Sequence, residues 1–121
     1  MAGQAGEAKA VAMDGAGAID LAHLGRATFG NRALAREVLS LFDRQAEKLL
    51  TVIAAAADDR ARREAAHAIR GAALGIGAAR VAEAAEDLET AEGNAVAGAT
   101  GRLAARIAAA RLAIAEILAK D

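Results

Sequence analysis

The chain has 121 residues, no cysteine and no proline, and a formal net charge of −1. This length suits one domain with a modest core, and a chain without cysteine has neither disulfides nor thiolate metal ligands. A charge near zero, with Phe29 and Phe42 as the only Phe, Tyr or Trp residues, argues against nucleic-acid binding, which needs a basic face and aromatic rings for base stacking.

Alanine and leucine dominate the composition, and β-branched and aromatic residues are comparatively few. Because alanine and leucine favour helices, this composition predicts an all-helical protein. No stretch approaches the roughly 18 apolar residues that a membrane-spanning helix needs. The sequence does not open on a basic segment followed by an apolar run, so no secretory signal peptide is expected either. We therefore expect a cytoplasmic protein without a membrane segment.

The first helical elements follow an N-terminal arm. Residues 1–17 are rich in alanine and glycine without strong helical periodicity, which predicts a flexible or loosely helical arm, and residues 18–121 are predicted to form one helical domain. Asp20 is suited to capping a short helix that runs to about Thr28. The stretch 29–31, Phe-Gly-Asn, then ends that helix and begins the next.

A long amphipathic helix is predicted over about residues 32–57, and a third helix over about 59–76. Asp58 and Asp59 supply the N-terminal cap of the third helix, and Gly77 fits the left-handed position after its end. In the second helix, apolar residues recur at spacings of three and four, as expected for one buried face. These residues are Leu34, Val38, Leu41, Phe42, Leu49, Val52 and Ile53.

The last two predicted helices are separated by a glycine-containing loop over residues 92–101. The helix before the loop spans about residues 78–91, with Val81, Ala85 and Leu88 facing inward. The helix after it carries a core stripe of Leu103, Ile107, Ala110, Ile114 and Ile117. Because short connections favour antiparallel neighbours, the pattern predicts an antiparallel up-down four-helix bundle with an additional short N-terminal helix.

His67 lies in the middle of the predicted third helix. At about 100° per residue, the core face of this helix contains Ala65, Ile69, Ala72 and Ile76, and His67 falls on the opposite face. Gly71, four residues later, leaves the surface beside the imidazole open, and Arg70 brings a cation to it. This arrangement suits anionic chemistry at a ring nitrogen, although an ordinary surface histidine fits the same spacing, and Gly71 could instead serve close packing.

The stretch 67–78, His-Ala-Ile-Arg-Gly-Ala-Ala-Leu-Gly-Ile-Gly-Ala, resembles the signature of histidine-containing phosphotransfer domains. In that family, a histidine is followed at fixed spacing by Lys or Arg, by glycine and small residues, and by an apolar residue before Gly-Ala. The matching residues are His67, Arg70, Gly71, Ala72, Ala73, Ile76, Gly77 and Ala78. Similar features elsewhere extend the resemblance over about residues 19–118. Alanines at 72 and 73, where family members often carry serine, and arginine rather than lysine at 70 are mild departures.

The resemblance implies a phosphorelay intermediate rather than an autonomous enzyme. His67 would accept a phosphoryl group from the aspartyl phosphate of one receiver domain and pass it to the aspartate of another. Arg70 would stabilise the phosphoryl charge, Gly71 would give access, and Glu89 would orient the imidazole. Arg63, Glu64, Leu74 and Ala78 would contact the partner.

The implied partners are response-regulator receiver domains and a hybrid sensor histidine kinase. No cofactor of its own is expected, because Mg²⁺ in such transfers is held by the receiver, and a monomer is expected.

Three other functions are alternatives to this one. A phosphorylation-independent adaptor would use the same fold, but it has no need of a nucleophile at His67. A carboxylate-bridged di-metal bundle has the Glu-x-x-His spacing found at Glu64 and His67, but its ligands project inward. A kinase dimerisation domain needs a long self-complementary hairpin. His23 is expected to be a surface or packing residue. Gln45 is expected to be a boundary residue, with a hydrogen bond near His67 as the alternative.

Overall fold

The computed structural model describes residues 16–120, which contain helices and their connecting turns but no β-strand. The all-α fold class predicted from the composition is therefore confirmed for this part of the chain. Residues 1–15 of the predicted arm lie outside the described residues, and a 3₁₀ turn, Ala16–Ala18, comes first. The α-helices are α1 (Leu21–Ala27), α2 (Arg32–Ala55), α3 (Asp59–Ile76), α4 (Ala79–Thr90) and α5 (Ala95–Ala119).

Side-chain caps set the starts of the first three α-helices. The carboxylate of Asp20 accepts a hydrogen bond from the His23 amide at 3.0 Å, and Asn31 caps α2 in the same way. Asp58 caps α3 through the Ala61 amide at 2.9 Å. Each cap satisfies an amide that has no acceptor within its own helix. The predicted caps Asp20 and Asp58 are confirmed.

Gly77 ends α3 in the left-handed conformation that the sequence predicts, with φ of 79°. Its carbonyl accepts a hydrogen bond from the Asp20 amide at 2.9 Å, so the turn after α3 is joined to the start of α1. A Cβ atom at Gly77 would lie 3.0 Å from the Asp20 carbonyl oxygen and 3.2 Å from Cδ2 of His23. Glycine is therefore required here by both conformation and space.

The predicted loop over residues 92–101 is wrong from residue 95 onward, because α5 begins at Ala95 and includes Gly98 and Gly101. Glycine costs a helix only about 1 kcal/mol. Ala99 and Leu103 are both buried within the same two turns, and their burial offsets that cost. The turn between α4 and α5 is accordingly short.

The core stripe of α2 is narrower than predicted. Its buried residues are Leu39, Phe42, Ala46 and Ile53. Leu41 and Val52, which were predicted to face inward, are 45% and 41% exposed. The apolar pattern alone does not distinguish the centre of a stripe from its edges, and Leu39, omitted from the prediction, lies at the centre. In α4 and α5 the predicted inward residues are buried, except that Ile117 is half-buried.

The four longer helices contact one another in a closed ring, in which α2 and α4 each pack against both α3 and α5. Helix α1 packs against α2 and α3 at one end. Two arginines join α2 to α5: Arg111 donates to Asp43 at 2.7 Å, and Arg36 donates to the Leu118 carbonyl at 2.8 Å. Between residues 16 and 120, no helix has both the length and the apolar character needed to cross a bilayer.

Candidate functional site

His67 projects from the outer face of α3. Its neighbours Ala66 and Ile69 are completely buried, whereas the His67 side chain is 70% exposed. The helix therefore holds the imidazole in solvent on a backbone fixed by the core beneath it. The predicted outward direction of His67 is confirmed.

Glu89 contacts the imidazole from the adjacent helix, α4. The turn at Gly77 reverses the chain so that α4 packs against α3, and the buried side chain of Leu88 anchors the turn of α4 that carries Glu89. Oε2 of Glu89 lies 2.9 Å from Nδ1 of His67. An ionised carboxylate only accepts hydrogen bonds, so a neutral imidazole in this contact has its proton on Nδ1 and a free lone pair on Nε2.

Arg70 lies on the other side of the same carboxylate. Its Nη1 is 3.8 Å from Oε1 of Glu89, within ion-pair range but too far for a hydrogen bond. Oε1 is buried and has no hydrogen-bond partner. The Arg70 side chain is 37% exposed, and its guanidinium adds positive charge beside the imidazole while keeping its own donors available. The structure thus brings together three of the predicted site residues, His67, Arg70 and Glu89.

Gly71 completes the predicted set, and it faces open space. A Cβ atom built on Gly71 would meet nothing within 4 Å. Close packing inside the described part of the chain therefore does not explain this glycine, which leaves the surface beside the imidazole clear. A Cβ atom built on Gly75 would likewise meet nothing within 4 Å.

The four residues predicted to dock a partner differ in their placement. Glu64 is exposed and forms a surface pair with Arg60 at 3.0 Å, and Leu74 is 52% exposed. Arg63 is half-buried, within 4.0 Å of Asp59. Ala78 is completely buried, because it lies at the turn where the chain folds back into α4. Its side chain offers no surface to a partner, and its predicted docking role is wrong.

An open apolar groove between α2 and α3 runs beside the exposed face of α3. Its lining includes Leu41, Phe42, Gln45, Ala72 and Gly75. Gln45 is exposed at this groove, so it lies at the boundary that the sequence predicted. The groove was not anticipated, since it depends on Leu41 lying at the edge of the buried stripe of α2 rather than within it.

Arg62 is a buried charged residue that the sequence pattern did not indicate. It is 7% exposed, and its Nη1 donates to Asp59 at 2.6 Å while its Nη2 donates to the Ala91 carbonyl at 3.2 Å. The hydrogen bond from Arg62 and its positive charge lower the pKa of Asp59. The spacing of Arg62 from Ala65, Ala66 and Ile69, which are buried, places it on the core face of α3. Arginine, however, is normally expected at the surface.

The di-metal alternative has little support in this geometry. Glu64 and His67 both face outward, whereas such a site needs inward ligands. Within the described range, no three His, Cys, Asp or Glu side chains are grouped so that they could hold a metal ion. His23 is half-buried near Gly77, which agrees with the packing role expected for it.

Comparison of the chain with protein-family models, with curated proteins and with solved structures finds no match.

Proposed function

We propose that this protein is a histidine phosphotransfer protein, which carries a phosphoryl group on His67 between receiver domains. The observation that carries the proposal is the exposed imidazole whose Nδ1 lies 2.9 Å from the Glu89 carboxylate. An orienting carboxylate on one ring nitrogen leaves the other nitrogen free as the nucleophile, as in other histidine-centred sites. Resemblance of the stretch 67–78 to the phosphotransfer signature supports the same function.

In the proposed reaction, Nε2 of His67 attacks the phosphorus of a receiver's aspartyl phosphate. The N–P bond forms as the P–O bond breaks, and the aspartate carboxylate leaves with the electron pair of that bond. The proton on Nδ1 stays between the ring and Glu89, whose negative charge stabilises the resulting imidazolium. Transfer onward reverses these steps, with a second receiver's aspartate as the nucleophile and Nε2 recovering its lone pair.

Arg70 contributes positive charge to this transfer. Its guanidinium is not tied by a hydrogen bond to Glu89, so its donors remain available for the phosphoryl oxygens. Planar, paired N–H donors match the geometry of phosphate oxygens. Arg70 therefore stabilises the charge of the transferring group without removing Glu89 from the imidazole.

The proposed fold is an antiparallel up-down four-helix bundle with a short additional N-terminal helix. The closed ring of contacts among α2, α3, α4 and α5 supports this topology, as do their short connections. In such a bundle, α3 presents His67 on the outside, where a partner domain can reach it.

The proposed partners are receiver domains, one of them within a hybrid sensor histidine kinase. The exposed Leu74, and the groove lined by Leu41 between α2 and α3, offer apolar contact area on the helix that carries His67. Mg²⁺ is expected on the receiver rather than on this chain, which acts as a cytoplasmic, monomeric carrier and not as a kinase.

The test is transfer from a panel of ³²P-labelled receiver domains to the purified protein without ATP. We expect a label that is labile in acid and stable in base, on the peptide that contains His67, with phosphorus bonded to Nε2 by NMR. Labelling at Nδ1, or a label that is stable in acid, contradicts the mechanism. Receivers that bind without transferring phosphate identify the adaptor alternative instead.

Gly71→Gln is expected to lower the rate of phosphotransfer by at least about tenfold, because the longer side chain occupies the approach to the imidazole. Since a side chain at Gly71 meets open space within the chain, helical content should not fall. Labelling reactions quenched at a series of times measure the transfer rate, and circular dichroism measures the helical content.

Gly101→Gln is the matched control for this variant, since Gly101 is also a helical glycine with nothing within 4 Å of its Cβ position. It lies in α5 and should leave the transfer rate unchanged. Equal transfer rates in the Gly71 and Gly101 variants contradict the proposed role of Gly71.

A further inference from the structure

Arg62 joins α3 to the end of α4 from inside the protein. It lies five residues before His67 on α3, and its Nη2 donates to the carbonyl of Ala91, the first residue after α4. The side chain is buried, and its Nε has no hydrogen-bond partner. A buried guanidinium with incomplete hydrogen bonding is costly, and breaking one of its remaining bonds would leave its charge still less compensated.

The end of α4 carries Glu89, the residue that orients His67. Glu89 is the next-to-last residue of α4, in the turn whose carbonyls have no partners within the helix. Helix ends fray unless other groups hold them. The bond from Arg62 reaches the carbonyl two residues after Glu89, and it therefore holds this turn of α4 against α3.

Asp59 holds the guanidinium in the orientation that reaches α4. Its carboxylate accepts from Nη1 of Arg62 at 2.6 Å, one turn earlier on the same helix. Nη1 and Nη2 of the planar guanidinium thus donate to two different acceptors, the Asp59 carboxylate and the Ala91 carbonyl, in a fixed relative orientation. A lysine ammonium has no such fork, so it does not reproduce this geometry.

We infer that Arg62 is a positioning residue for His67, which holds the end of α4 so that the Glu89 carboxylate meets Nδ1 and Nε2 is left free. The effect on transfer rests on the proposed function, whereas the effect on the imidazole does not. Arg62 touches neither the ring nor the phosphoryl group. It acts through the position of Glu89.

The test is the protonation pattern of the His67 ring, measured by ¹⁵N NMR at a pH where the imidazole is neutral. In the unaltered protein we expect the proton mainly on Nδ1. In Arg62→Met, which keeps the side-chain bulk without donors, the ring should shift towards the mixture of tautomers found in water. Phosphotransfer should fall by about tenfold, as for other losses of an orienting contact. Arg62→Lys should not restore either property.

Arg36→Met is the matched control, because Arg36 also donates to carbonyls at a helix end, those of Leu118 and Lys120 at the end of α5. It should lower stability without changing the His67 tautomer. If Arg62→Met does not fold, Arg62→Lys and Asp59→Asn are measured instead, and both should reduce the fraction of Nδ1–H.

An unchanged tautomer in the folded Arg62 variants, or an equal change in Arg36→Met, overturns the inference. If receivers never phosphorylate the unaltered protein but the tautomer still responds to Arg62, the positioning role holds and the proposed function fails. The two failures are therefore separable.

Discussion

His67→Gln is expected to reduce labelling by phosphorylated receivers to background, a loss of at least about 10³-fold, because it removes the nucleophile on which the covalent step depends. Glutamine keeps polarity and approximate size, and the side chain at position 67 lies in solvent, so the variant should fold normally. Labelling with ³²P and thermal unfolding measure transfer and stability in parallel.

His23→Gln is the matched control for this experiment, since His23 and His67 are the two histidines of the chain. His23 is half-buried at the turn near Gly77 and should affect stability slightly while leaving transfer intact. Binding of an unphosphorylated receiver to His67→Gln should change little, because the surrounding surface is preserved. Labelling of His67→Gln at the rate of the unaltered protein shows that another residue accepts the phosphoryl group.

Gly77→Ala is expected to lower the free energy of unfolding by about 2–5 kcal/mol. About 1–2 kcal/mol comes from placing a Cβ atom in the left-handed conformation, and overpacking against Asp20 and His23 adds about 1–3 kcal/mol. The Asp20 carbonyl oxygen, which would lie 3.0 Å from that Cβ, belongs to the backbone and cannot rotate away as a flexible side chain could. The change should appear as a lower urea midpoint with a similar slope.

Gly75→Ala tests whether conformation and space account for this loss. Gly75 is inside α3, and its Cβ position has no neighbour within 4 Å, so alanine should raise stability by about 0.5–1 kcal/mol through its helix propensity. Opposite signs for the two variants are expected. A Gly77→Ala protein as stable as Gly75→Ala would show that the turn readily adopts another conformation.

Local patterns in the sequence are sufficient to predict most of α3. The cap at Asp58, the outward direction of His67 and the left-handed Gly77 each depend on residues within a turn or two, where spacing and backbone preference act directly. The start of α5 could not be placed in the same way. Its glycines favour a loop locally, and the burial of Ala99 and Leu103 against other helices overrides that preference.

Features that depend on packing between helices were harder to predict from sequence. His67 and Glu89 are 22 residues apart in the sequence, and their pairing was suggested by family resemblance. The 2.9 Å distance between Nδ1 and the carboxylate arises because α3 and α4 pack together. Burial of Arg62 and Ala78 was missed because residue type indicates average exposure, whereas the particular position is decided by which helix lies opposite. The groove beside α3 was missed for the same reason.

The outer face of α3 can change in sequence without disturbing the core. Its exposed residues include Glu64, Gly71 and Leu74, and the core beneath them is formed by other positions of the same helix. Surface pairs such as Arg60 with Glu64 contribute little to stability. Under the proposed function, substitutions on this face change which receiver is recognised without unfolding the protein. Specificity can then be redesigned, or can diverge between duplicated genes, while the buried residues of the helices stay unchanged.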